Sequence, residues 1–432
     1  MNYMADCLNQ FPSLWLRTAA EADPSEPLEG DARCDVVIIG GGYTGLSAAI
    51  TLAKGGASVR VLEGKFPGWG GSGRNSGAAI RGFKNSRTAL IKEYGETHGR
   101  AMADFGSHTT DVVFDMISTY GIDCDLKRTG WILPAHNEAG MRRVEERVRT
   151  WTDDGIGGLD LLSRTELSRM LGSDAYVGGM IDREGASLNP LSYARGLARA
   201  AIELGAAVHG ETPATAIIPS GSDWKVETPR GTLTAPTVIL ATDAYSDGLS
   251  QEVDRSYVAI HTYIIATEIL PEAIAATILP GEQAVSDSRR ILNYWHKTPD
   301  GRVLFGTRGT LNGPRHPQDF SHVEAAMLSV YPQLRGQPIA FRWAGKVGMT
   351  RDFMPHIHQP KPGLWTAHGY CGRGVAMASA YGKLLGETVL NDLPLENLPV
   401  PNTQAPRMPP SAVRNAGIVA VTHLYRALDV YF

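Results

Sequence analysis

The sequence predicts an α/β chain, with one domain on a parallel sheet and a second on a large, mostly antiparallel sheet. Three observations carry this. Asp35 to Glu63 reads as strand, glycine turn, helix and strand. Pro236 to Tyr245 and Gly363 to Leu390 again run a strand into a turn of small residues. Between these two, Tyr257 to Trp343 is rich in β-branched and aromatic residues broken by turn signals.

The first unit is the most informative. Asp35-Val36-Val37-Ile38-Ile39 is a run suited to a strand buried on both faces. Gly40-Gly41-Gly42-Tyr43-Thr44-Gly45 then fits G-x-G-x-x-G. Gly40 allows the tight turn, Gly42 lets a pyrophosphate approach the backbone, and Gly45 lets the helix lie close to the strand. The helix starting at Tyr43 and Thr44 offers N–H groups and a partial positive charge to phosphates. Val59-Arg60-Val61-Leu62 is the next strand, ending in Glu63, whose carboxylate suits a ribose diol. An acid there disfavours a 2′-phosphate, so FAD or NAD fits better than NADP. Gly64 to Gly77 is too glycine-rich for regular structure and suits a loop pressed against a flat ligand.

Composition narrows the class. The 432 residues give ample core for two domains. A net charge of −4 without a block of one sign does not suggest nucleic-acid binding. Cys7, Cys34, Cys124 and Cys371 are scattered, as for reduced thiols, without a disulfide framework or metal site. Met1 to Pro27 lacks a signal-peptide pattern, and no apolar run reaches membrane-spanning length. The expectation is a cytoplasmic protein.

The remaining elements follow in order. Residues 1–33 are a polar lead-in and 86–121 are helical. Lys127 to Pro134 reads as a strand pair or edge strand. Glu138 to Asp154 is a charged helix whose Arg142, Arg143, Arg147 and Arg149 form a solvated face. Asn189 to Leu204 is a helix with Pro190 near its start and Gly205 at its end. Short strands surround Val208, Ile217, Trp224 and Leu233. Tyr257 to Thr267 and Arg290 to His296 are strand candidates. Asp300-Gly301 is a turn leading to Val303 to Thr307. His356 and His358 read as loop residues, not metal ligands. Near the end, Val413, Gly417, Ala420, Val421, Leu424 and Leu428 form an apolar helical stripe with Arg414 off it. Two readings stay open: a helix docked on its own protein, or one lying on the inner face of a membrane or on a partner.

Pro67-Gly68-Trp69-Gly70-Gly71-Ser72-Gly73-Arg74-Asn75-Ser76-Gly77 resembles the flavin loop of the D-amino-acid-oxidase superfamily of FAD enzymes. The closest likeness is to its glycine, sarcosine and γ-glutamylputrescine oxidase branch, with an iminodiacetate oxidase-like member among the options. The resemblance covers about residues 13–430. It implies a discontinuous FAD-binding, Rossmann-like domain of the glutathione-reductase type (30–121, 181–249, 344–395). The substrate domain would be 122–180 and 250–343, with 396–432 a tail carrying an amphipathic helix. Besides the residues above, Lys65, Ala241, Thr242 and Gly345 are expected at the cofactor. So is the turn Gly369-Tyr370-Cys371-Gly372-Arg373-Gly374-Val375. FAD is expected to be non-covalent, since Gly348 to Asp352 offers no Cys.

The resemblance implies FAD-dependent oxidation of a C–N bond to an imine, which water hydrolyses to a carbonyl and an amine. A secondary amine carrying a carboxylate, iminodiacetate- or sarcosine-like, is favoured. The alternatives are γ-glutamylputrescine or a polyamine, or an electron-transfer subunit needing a partner. Alternation places Tyr257, Ala259, His261 and Tyr263 on one strand face, and Tyr294 and His296 on another. These walls are taken as the substrate side. His261, His296 and Tyr294 are the catalytic candidates; Tyr257, Tyr263, Tyr370, Arg308 and Arg342 are the substrate-binding ones. Oxygen or a quinone would take the electrons. Val303-Leu304-Phe305 lacks the Lys with which some relatives activate oxygen.

Overall fold

A computed structural model describes residues 10–401 and 403–431; Cys7 lies outside them. Two large sheets carry fourteen strands (six and eight). The first five are β1 (Val36–Ile39), β2 (Val59–Leu62), β3 (Trp131–Ala135), β4 (Leu159–Leu162) and β5 (Gly178–Asp182). Next come β6 (Ala207–His209), β7 (Thr237–Leu240), β8 (Tyr257–Thr267), β9 (Ala284–Ser286) and β10 (Tyr294–Lys297). Last are β11 (Val303–Arg308), β12 (Ile339–Thr350), β13 (His356–Lys361) and β14 (Leu364–His368).

The smaller sheet has the order β13-β14-β7-β1-β2-β6. It is parallel apart from β13 at one edge. β1 is buried at every position, as its unbroken β-branched run requires. Helices α1 (Tyr43–Lys54), α2 (Arg87–Ser107) and α3 (Thr109–Tyr120) follow from the first part of the chain. α1 packs against two later helices. A Cβ at Gly382 would lie 2.3 Å from the Thr44 carbonyl oxygen, so only glycine permits the close crossing. His356 and His358 stand in β13 rather than a loop, each on a carboxylate, of Asp352 and Glu252.

The larger sheet has the order β12-β8-β11-β10-β9-β3-β5-β4, and β9–β3 is its parallel pair. β3 therefore lies inside the sheet, paired on both sides, which excludes only the edge-strand reading of Lys127 to Pro134. Residues 290–293 are a loop before β10. The buried Asp287 carboxylate accepts bonds from Asn293 N–H (3.0 Å), Asn293 Nδ2 (3.0 Å) and Tyr176 Oη (3.1 Å), which stops the strand there. β12 pairs with β8 along its length and carries residues 344–350 into this sheet, past the expected boundary at 343. The charged helix is α4 (Glu138–Asp153), whose Val144 and Val148 cover β3 and β5. Arg147 leaves the solvated face: its guanidinium lies 4.7 Å from the Trp151 ring and 5.7 Å from that of Trp131.

Three more helices matter. α5 (Pro190–Glu203) is capped by the Asn189 side chain, and α6 (Ser321–Val330) packs behind β8 and β11. α7 (Gly374–Asn391) is the later helix that crosses α1. Finally α8 (Ser411–Tyr431) is tied to the segments that precede two strands of the larger sheet. Just before it, Met408 N–H donates to Arg255 O (2.7 Å). Near its far end the Asp429 carboxylate accepts from Arg290 N–H (2.9 Å) and Ile291 N–H (3.0 Å). Among the described residues no helix is long and apolar enough to cross a membrane.

Candidate active site

The two sheets and α8 enclose a cavity of about 1340 Å³. That exceeds the roughly 300–1,000 Å³ of an ordinary small-ligand pocket, so the space suits a cofactor together with a substrate. The parallel-sheet end is built as the glycines require. A Cβ on Gly42 would meet Ser72 Oγ at 2.8 Å, and one on Gly45 the Gly40 carbonyl oxygen at 2.0 Å. The first-turn N–H groups of α1 open on the cavity there. Glu63 is buried beside them, its carboxylate accepting from Gly41 N–H (2.9 Å) and Lys65 N–H (3.0 Å). Burial pushes its pKa up, against the pull of these N–H groups.

The glycine-rich loop is knotted by its own side chains. Asn75 Nδ2 donates to Gly71 O and Ser72 O (both 3.0 Å), and Asn75 Oδ1 accepts from Gly77 N–H (2.7 Å). Ser72 Oγ accepts from Tyr43 N–H (3.0 Å), tying the loop to α1. Arg74 Nε donates to Trp69 O (2.9 Å) and its Nη1 to Ala344 O (3.3 Å), tying the loop to β12. On the other side Tyr370 Oη bonds Thr44 Oγ1 (2.7 Å), and Arg373 Nη1 donates to Arg81 O (3.0 Å). Burial pushes the Arg373 pKa down to about 9.

A family model described as FAD dependent oxidoreductase (DAO) matches residues 35–388. The chain belongs to this family. It is 33% identical over 414 residues to a probable oxidoreductase OrdL of Haemophilus influenzae, covering 94% of each. It is 32% identical over 410 residues to the γ-glutamylputrescine oxidoreductase of Escherichia coli, covering 93% of this chain and 96% of that one. The crystal structure of glycine oxidase from Geobacillus kaustophilus has the same fold. Its TM-score is 0.70 at 20% identity, over 83% of this chain and 95% of that one.

The cofactor of this DAO-family chain is FAD, and the cradle fits it. The glycine turn and the first turn of α1 would hold the pyrophosphate. Glu63 would take the ribose, and the loop at Gly71, Ser72 and Asn75 with the turn at Gly372 to Gly374 would hold the ring. FAD supplies the hydride acceptor; the chain binds, orients and excludes water. Most expected cofactor residues line the cavity, including Gly64, Lys65, Trp69, Ser76, Ala241 and Thr242. Gly45, Gly73, Arg74, Gly77, Gly345 and Gly369 do not. They stand behind the wall, where close packing fixes the lining loops: a Cβ at Gly73 or Gly77 would lie 2.3 or 1.9 Å from a carbonyl oxygen.

The expected substrate wall is partly corrected. On β8 the residues facing the cavity are Val258, Ile260 and Thr262. Tyr257, His261 and Tyr263 point the other way. Tyr263 packs on Phe320 (ring centroids 4.9 Å) and bonds Thr310 Oγ1 (2.8 Å). His261 lies under the Gly313 segment, and Tyr257 packs in the core beneath the parallel sheet. Alternation fixes which residues share a face, and here the aromatic face turned inward to core. Tyr294 and Arg308 do line the cavity. His296 does not: it is buried, stacked on Trp15 with centroids 6.1 Å apart, and bonded to Lys297 O (3.1 Å). Arg342 lies outside the wall and donates to Ile339 O (3.1 Å). Tyr370 lines it from the cofactor side.

Three lining residues went unread. Asp243, with φ +42°, accepts from Gly369 N–H (2.7 Å) and joins the turn after β7 to the one after β14. Its signal was an acid inside a small-residue turn. Lys346, from β12, sits 4.9 Å from the Tyr245 ring and 3.6 Å from Asp247 Oδ1. Continuing the strand alternation past Gly345 would have placed it. Arg414 faces inward from α8 beside Val413, Gly417 and Val421 of the apolar stripe.

Proposed function

We propose that this FAD enzyme oxidises the C–N bond of an amine that also carries a carboxylate. One observation supports this above others: the ionisable cavity residues number eight basic against three acidic. The pyrophosphate of FAD offsets only part of that excess. Arg290, Arg308, Arg351 and Arg414 come from the larger sheet, its loops and α8, with Arg290 paired to Asp429. A free di- or polyamine, with two or more positive charges, would be repelled by that wall. Iminodiacetate, sarcosine and γ-glutamylputrescine (the compound in the relative's name) each pair a reactive amine with a carboxylate.

Among the described residues no histidine lines the cavity, and burial holds the Tyr294 and Tyr370 hydroxyls protonated, far above their ordinary range. They serve as donors that orient the substrate, and the substrate nitrogen loses its proton to water before the C–H bond breaks. Oxygen is taken as the acceptor, since Lys346 supplies the cation that Val303-Leu304-Phe305 lacks. We take FAD as non-covalent. Cys371 lines the cavity, but burial raises its thiol pKa and it bonds Thr350 Oγ1 (3.4 Å).

Anaerobic mixing with an amine panel tests the reading. Carboxylated amines are expected to bleach the flavin's visible absorption, and putrescine is not. Bleaching by putrescine alone would overturn the substrate class, and bleaching by none the oxidase reading itself. Turnover without oxygen uptake would point to a quinone. Flavin left on acid-precipitated protein would show a covalent link.

A further inference from the structure

α8 is fastened at both ends to the substrate sheet. Met408 holds the segment before it to Arg255 ahead of β8, and Asp429 holds its last turn to the loop before β10. The second fastening is reinforced by Arg290 Nη1, 3.3 Å from Asp429 Oδ1. Arg414, Ile418, Val421 and Tyr425 recur at helical spacing on one face, and all four line the cavity. Asp429 continues that row. Val419 and Leu424, off the row, are about half exposed (52% and 54%), and Val421 on it keeps 41% of its surface exposed. The helix is thus a roof over the substrate space, and its inward face carries one formal charge among the four.

That charge is placed for a ligand. Arg414 Nε is buried and has no hydrogen-bond partner among the described residues. Its backbone N–H is used, donating to Pro410 O (2.9 Å). A buried donor left unmade costs free energy, and a planar guanidinium pairs best with a carboxylate. We propose that α8 is the specificity lid of this site. Arg414 takes a carboxylate on the substrate at the end away from the oxidised C–N bond. The proposal rests on the reading that the substrate is a carboxylated amine, and it adds which residue recognises that group.

The test uses the full-length holoenzyme with FAD bound. Iminodiacetate, γ-glutamylputrescine and putrescine are mixed anaerobically with wild type, Arg414→Ala and Arg414→Lys. For Arg414→Ala the half-saturating concentration of the carboxylated amine that bleaches wild type should rise at least tenfold. The limiting bleaching rate should change less than threefold, and Arg414→Lys should recover part of the loss. An unchanged half-saturation overturns the proposal and leaves the substrate reading standing. Equal weakening toward putrescine also overturns it, because the effect is then not one on carboxylate. Succinate, which has no C–N bond to oxidise, gives an independent readout should no amine bleach the flavin. It should perturb the wild-type flavin spectrum saturably, and at least tenfold more weakly in Arg414→Ala; no perturbation, or none lost, sinks the lid assignment. Asp429→Asn weakens the fastening and leaves the Arg290 charge in the cavity wall unpaired, so a purely electrostatic effect would lower the succinate half-saturation. The variant should instead raise the succinate half-saturation and speed proteolysis within α8, and no change in either would overturn the roof as the means.

Discussion

Gly42 shows how tightly single residues set this site. Its φ of −94° suits any residue, so alanine would add no backbone strain there. The added methyl would instead meet Ser72 Oγ at 2.8 Å and press on the bond that ties the loop to α1. Gly42→Ala should therefore fold with little loss of stability but bind FAD at least about tenfold more weakly, roughly 1.4 kcal/mol. Titration of apoprotein by flavin fluorescence checks this, and an unchanged Kd would contradict it. Residues of this kind were legible in the sequence, because a turn, a close approach and a helix crossing each admit few side chains. Gly40, Gly42, Gly45 and Glu63 could be named from spacing alone. His261 and His296 could not be excluded, because whether a histidine meets substrate or Trp15 depends on the neighbours that the fold delivers.

Among the elements, strands and helices were mostly foreseen and their orientation was not. Tyr257 to Thr267 is a strand as the pattern indicates. Alternation cannot say whether the Tyr/His face or the Val/Ile/Thr face meets the cavity, and the larger side chains went into the cores, Tyr263 with α6 and Tyr257 beneath the parallel sheet. The end of β10 at Tyr294 was equally hidden, since Arg290 to Asn293 have fair strand character. The buried Asp287 carboxylate overrides it through Asn293 and Tyr176, with the Arg289 guanidinium as its counter-ion. Removing one partner of a buried pair typically costs about 3–5 kcal/mol. Asp287→Ala should lower the unfolding midpoint by several degrees and loosen the loop that holds Asp429, with amide exchange rising at 288–293. Asp287→Asn should lose less, keeping Tyr176 as a donor to its amide oxygen. A variant with wild-type melting and exchange would rule out this role.

For the whole molecule, acid sensitivity follows from groups enclosed where the sheets meet. His368, at the end of β14, bonds Ser256 Oγ (2.8 Å). Burial, with His356 and His358 nearby, pushes its pKa down to about 3 from an ordinary 6.5. Between those values the unfolded chain binds a proton that the folded chain refuses. Stability from this residue is complete above pH 6.5 and declines as pH falls toward 3, by about 2 kcal/mol at pH 5. Asp243 and Asp287, raised by burial, act in the opposite sense, so the comparison with a variant isolates the histidine. His368→Gln should lose less of its melting temperature than wild type between pH 7.5 and 5.0; parallel losses would refute the assignment. The two-sheet plan was readable because each sheet has its own sequence period. Their joint enclosure of one cavity was not, since its wall is gathered from stretches as far apart as Gly40 and Tyr425.

The roof helix also sets an order of events during synthesis. At roughly 5–20 residues per second, α8 leaves the ribosome seconds after the strands and turns that cradle FAD. With α8 as the roof, FAD would meet the site before the roof is fastened. Asp429 can reach the Arg290 loop only after the whole helix has emerged.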